Sequence, residues 1–68
     1  MFHSRLKFYR EEKEMSQSKL SEVSGVPLRL IQAYEQGYRD INEAQCIKVV
    51  QLAEALGCDI YDILNPRP

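Results

Sequence analysis

Between Ser16 and Gly37 the sequence SQSKLSEVSGVPLRLIQAYEQG leaves the backbone little choice: two short helical stretches must meet across a tight turn. Ser16 is a good N-cap, although Lys19 rather than a glutamate stands three residues later, so the full capping box is absent. Leu20 and Val23 supply the apolar face of a helix over residues 17–24, and Gly25 stands where a helix can end in a left-handed residue without strain. Val26-Pro27 then restarts the chain, because the residue before proline is pushed into extended backbone while proline itself suits the first turn of a helix. The next helix is expected from Pro27 to Gln36, closed by Gly37. On its wheel Ile31 and Tyr34 face a core, Leu30 lies beside them as a partly buried packing residue, and Leu28 falls on the opposite, exposed side.

The flanking sequence continues in the same manner. Leu6, Tyr9, Arg10 and Lys13 form one helical stripe behind Ser4, a candidate N-cap, which predicts a first helix over residues 5–13 and a short connection at Glu14-Met15. Residues 37–41, GYRDI, read as a polar connection, and Asn42 with Gln45 makes a capping box for a fourth helix. That helix carries Cys46, Val49, Val50, Ala53 and Leu56 at helical spacing and ends at Gly57. Asp59 can cap a last helix with Ile60, Ile63 and Leu64, stopped by Asn65-Pro66. A chain of 68 residues buries only about 60% of its unfolded surface, which favours helices over a large sheet. The expectation is an all-α fold of five short helices, one compact domain over residues 1–68, without repeats or low-complexity segments.

Several function classes are disfavoured. Arg5, Lys7 and Arg10 interrupt the start before any apolar stretch develops, so neither a secretory signal nor a membrane span is expected, and the protein should stay in the cytoplasm. In a reducing compartment Cys46 and Cys58 read as two buried thiols rather than a disulfide. His3 is the only histidine, which argues against bound metal. Ser16, Ser18, Ser21 and Ser24 lack a histidine or lysine arrangement, and no glycine-rich phosphate loop occurs, so no catalytic residue and no cofactor are expected. Net charge is −1 overall, but residues 1–39 carry +2 and residues 40–68 carry −3. A polyanion would therefore be met by the first half, although nucleic-acid-binding domains are usually more basic than this.

Helix, glycine-containing turn, helix is the helix-turn-helix pattern, whose second helix can lie in the major groove of duplex DNA. Here the spacing from Ser16-Gln17 through Leu20, Gly25, Ile31, Tyr34 and Glu35 to Gly37 is matched as a set. With RLKFYREEKEMSQSKLSEVSGV, IQAYEQGYRDI and LAEALGCDIYDIL, the sequence resembles the phage-repressor-like (Cro and Xre type, lambda-repressor-like) helix-turn-helix family, from Arg5 to Leu64. The resemblance implies a five-helix cytoplasmic DNA-binding domain, with the helix-turn-helix at about residues 17–36, acting as a homodimeric transcriptional regulator on double-stranded DNA. By position it implies that Gln17 binds phosphate, that Leu28, Arg29, Gln32 and Ala33 face bases, and that Arg10 and Glu35 pair between the first and third helices. Pro27 stands where the family often has a hydroxyl or glycine cap, and Leu28 where it often has a polar residue, which puts the operator sequence, not the fold, in question.

Each of these residues also has a plainer reading. Arg29 suits bidentate contact with guanine O6 and N7 or an adjacent phosphate, against a merely solvated charge. Gln32 suits adenine N6 and N7, or simply points to water. Leu28 can touch a thymine methyl or a protein partner, against an incidental exposed leucine. Gln17 is a phosphate ligand or a surface glutamine, and Lys19 and Arg39 reach no further than the DNA backbone. Asp40 and Glu43 would repel phosphates near Arg39. A second reading is an antitoxin-like or adaptor module of the same fold, with Phe8, Leu28, Tyr38 or Tyr61 exposed for a protein partner.

Overall fold

The computed structural model describes residues 4–65, so the expectations resting on His3 and Pro66 lie outside the described residues. Five α-helices follow one another: α1 (Leu6–Glu12), α2 (Gln17–Ser24), α3 (Leu28–Gln36), α4 (Cys46–Leu56) and α5 (Ile60–Ile63), with a 3-10 turn at Ile41–Glu43 between α3 and α4. Among the described residues there is no strand. Among them, too, no helix is long and apolar enough to cross a membrane.

The helices end where the backbone can turn. The Ser16 hydroxyl accepts the Lys19 amide at 2.9 Å, and Gly25 at φ 79° ends α2. At the end of α1 the Met15 amide donates to Arg10 O at 3.1 Å and the Glu14 amide to Glu11 O at 2.9 Å. That is a Schellman closure, with Glu14 at φ 56° where glycine is usual. Asp59 caps α5, with its side chain and that of Asp62 exchanging bonds with each other's backbone amides.

Packing places one buried stripe from each helix around a shared core. Leu6, Leu20, Ile31, Leu52, Leu56 and Ile63 are each 1% exposed or less, and Tyr34 joins them from α3. Two core residues, Val26 and Ile41, come from connections, where helical periodicity gives no sign of them. The α2 helix packs against both α3 and α4, and α1 touches α3 and α5.

Several local expectations give way. Ser4 does not cap α1: Arg5 occupies that position, and the Ser4 hydroxyl donates instead to Tyr34 O on α3 at 3.4 Å. Val23 is exposed, because the buried stripe of α2 runs from Leu20 to Ser24, four residues on, and the Ser24 hydroxyl accepts the Val26 amide at 3.1 Å. Pro27 precedes α3 as its N-cap rather than lying within its first turn.

Asn42 does not cap α4, which starts after Gln45 with no side-chain cap. It clasps the end of the described chain, accepting the Asn65 amide at 2.8 Å and donating to Asn65 O at 3.2 Å. The expectation of two buried thiols also fails: Cys46 is exposed because α4 begins there, and Cys58 is half-buried past the helix end. Leu52 takes the core place expected of Val50, which is half-buried.

Candidate nucleic-acid interface

The geometry of α3 begins with a buried ion pair. Arg10 reaches from α1 to Glu35 on α3 with two parallel bonds, Nε to Oε2 at 2.7 Å and Nη2 to Oε1 at 3.0 Å, and its Nη1 donates to Met15 O at 2.7 Å. The side chains are 11% and 3% exposed. A sheltered carboxylate needs such donors to offset its lost hydration. The bonds to Glu35 hold the guanidinium above its ordinary pKa, against the opposing effect of burial. Glu35 Oε1 also accepts from Gln17 Nε2 at 3.0 Å, so one carboxylate ties the end of α1 and the start of α2 to the far end of α3.

The residues proposed for DNA contact occupy one stretch of chain but different environments. Gln17 is half-buried, with one amide proton directed at Glu35, which leaves its second amide proton and the α2 amino terminus to meet a phosphate. Lys19 is exposed and pairs loosely with Glu22 at 3.3 Å, a surface contact of little energetic consequence that a phosphate can replace. Pro27, Arg29 and Arg39 are exposed, and Gln32 and Ala33 are half-buried. Leu28, expected to be exposed, is half-buried, since a turn of only three residues keeps the first turn of α3 close to α2.

The amino terminus of α3 is open to acceptors. The Leu30 and Ile31 amides reach back to Pro27 O at 3.0 and 3.3 Å, so those of Leu28 and Arg29 precede the helical ladder, and proline offers no side-chain cap. Beside it a cleft of about 490 Å³ is lined by Pro27, Arg29, Leu30, Arg39 and Lys48. Arg29 and Arg39, from the basic half of the chain, come together there with Lys48 of α4, from the acidic half. No local signal marks Lys48, whose place in the cleft depends on how α4 packs. Gln17, Lys19, Leu28, Gln32 and Ala33 do not line this cleft.

A helix-turn-helix family model, of the Cro/C1 and Xre-like type, matches residues 6–63, which spans all five helices. The chain belongs to this helix-turn-helix family. No curated protein matches it. The family is one of DNA-binding regulators rather than enzymes, and the protein is a helix-turn-helix DNA-binding regulator in that general sense. In this helix-turn-helix protein α2 and α3 are joined by a turn of three residues, 25–27.

Proposed function

We propose that this protein is a sequence-specific regulator of transcription that lays α3 in the major groove of double-stranded DNA. The observation that carries the reading is the first turn of α3: uncapped, carrying an exposed Arg29, and held against the scaffold by the Arg10–Glu35 bonds at the other end of the helix. Arg29 and Gln32 are its polar readers and Leu28 an apolar one, with Pro27 and Ala33 bordering the bases. Gln17, Lys19 and Arg39 meet the flanking phosphates. The described residues share one core and act as one domain, working in the cytoplasm as a homodimer on paired half-sites.

A second reading rests on its own observation. Phe8, Tyr38, Ile47 and Tyr61 are 57–77% exposed, enough apolar surface for an antitoxin-like or adaptor module that grips a protein. Titration against random-sequence duplex at low and high salt separates the two, because phosphate contacts make duplex binding fall steeply with salt. Selection of bound fragments from random duplex DNA then yields the preferred site. Duplex affinity that is absent at low salt would sink the first reading.

A further inference from the structure

The cleft beside α3 gathers three of the chain's nine basic residues, in a protein whose net charge is −1. They come from three places: Arg29 from α3, Arg39 from the loop after it and Lys48 from α4. Among the described residues from position 40 onward Lys48 is the only cation, set against five carboxylates, and it lies on this side. Among the described residues none of the three forms an ion pair.

Their placement is locally unfavourable. Arg29 and Lys48 both stand in the first turn of their helices, at the positive end of the helix dipole, and neither first turn contains an acidic residue. Three like charges around about 490 Å³ repel each other as well. An anion in the cleft relieves all of these terms together, and the α3 amides ahead of the helical ladder face the same end of the helix, while Asp40 and Glu43, expected to repel a phosphate near Arg39, line a different pocket beside that arginine and not this cleft. Pro27 and Leu30 supply apolar walls that leave charge, rather than neutral hydrogen bonding, as the recognition chemistry.

We propose that this cleft seats one phosphate of the DNA backbone and that Lys48 is a further DNA-contacting residue, closing on the phosphate from α4 while Arg39 closes from the loop. The assignment rests on the duplex-binding reading above. Lys48 thereby sets the depth at which α3 enters the groove and leaves the guanidinium of Arg29 free to reach a base edge. Its contribution is independent of sequence, as a point charge on a phosphate carries no base information.

The test compares the full chain with Lys48→Gln and with Lys13→Gln, a control of equal charge change whose ammonium lies by Gly57. Each is titrated with the selected site and with a random duplex at about 50 and 200 mM salt. Lys48→Gln is expected to weaken both duplexes alike and to lower the salt slope by about one unit, so that its loss of affinity over that interval is smaller than the parent's by a factor of about 3 to 4. Its melting temperature should equal or exceed the parent's, because a repelling charge has been removed, whereas a structural lysine would lower it. Lys13→Gln should keep the parent slope.

An unchanged slope in Lys48→Gln overturns the proposal, as does a change confined to one base pair of the site. Inorganic phosphate supplies the remaining arm: saturable perturbation of the Leu28 and Arg29 amide resonances that Lys48→Gln abolishes, with duplex slopes unaltered, would reassign the cleft to a free phosphorylated solute. If the parent itself shows no salt-dependent duplex binding, the duplex reading fails first, and the phosphate titration alone then reports on the cleft.

Discussion

Arg10 and Glu35 illustrate how much can rest on two side chains in so small a protein. Removing either leaves the other sheltered and unpaired, which costs about 3 to 5 kcal/mol, most of the stability of a domain this size. Arg10→Ala and Glu35→Ala should therefore melt far below the parent in chemical denaturation, while replacing both with apolar residues of similar size should recover much of the loss. Arg29 carries a different kind of energy. If it holds a guanine edge, Arg29→Ala should cost about 1 to 3 kcal/mol on the selected site and relax the choice at one base pair. Lys19→Ala and Arg39→Ala should weaken all sequences alike and lower the salt slope by about one unit each. Arg29→Ala binding every duplex as tightly as the parent would remove α3 as the reader through this residue. The thiols differ by environment: burial pushes the Cys58 thiol up, helped by Asp62 and Asp59, while Cys46 is exposed. A thiol-specific reagent near neutral pH should label Cys46 first and Cys58 much more slowly, and equal rates would mean that Cys58 is uncovered.

At the scale of the element, the ends of the helices are where sequence and stability meet. The α1 closure places Glu14 at φ 56°, a conformation that costs an L-residue roughly 1 to 2 kcal/mol relative to glycine's near indifference. Glu14→Gly should raise stability by up to about 1 kcal/mol, part of the gain being returned as unfolded-state entropy. Gly25 is the reverse case. A Cβ there meets nothing within 4 Å, so Gly25→Ala measures the positive φ of the motif's turn alone and should cost about 1 kcal/mol. Were Gly25→Ala neutral by urea denaturation, the turn would not hold its left-handed residue in solution. Because the added Cβ displaces no neighbour and α3 keeps its place in the folded state, the same variant should lose duplex affinity only in proportion to its folded fraction.

For the molecule as a whole, burial sets the alkaline limit of stability. Burial pushes the Tyr34 phenol up despite the nearby Arg39 charge, and it pushes the Cys58 thiol up as well. A group whose folded pKa lies above its unfolded value binds its proton more tightly when folded, so its contribution is complete below the unfolded pKa and is lost as pH rises through the folded one. Unfolding free energy should hold steady near neutral pH and fall above about pH 9 to 10. Tyr34→Phe should flatten that fall, and identical alkaline profiles would show that Tyr34 titrates as freely folded as unfolded. Assembly is argued at this scale too. The protein measures 30 Å along its longest axis, close to the roughly 34 Å between half-sites one helical turn apart, so two copies set end to end could meet both. Tyr61 on α5 is 77% exposed and is the residue to remove: Tyr61→Ala should shift light scattering towards monomer without unfolding the chain. A folded parent that is monomeric on DNA, with one copy bound per site, would discard the homodimer.

What the amino-acid sequence determined by itself was everything governed by neighbours along the chain. Ser16 and Asp59 cap their helices, Gly25, Gly37 and Gly57 end theirs at positive φ, and Leu20, Ile31, Tyr34 and Leu56 fall on buried stripes, because capping and 3.6-residue periodicity are local. The pairing of Arg10 with Glu35 came from the resemblance to a family, since no spacing rule joins residues 25 apart. Tertiary structure decided the rest. Asn42 looked like a cap until Asn65 was brought beside it, Val26 and Ile41 entered the core from connections, and Ser24 displaced Val23 because α3 and α4 press on that face of α2. Lys48 was one charge in an acidic half until the packing of α4 set it beside Arg29 and Arg39, and electrostatic neighbourhoods of that kind follow from distance in space, which the order of residues does not contain.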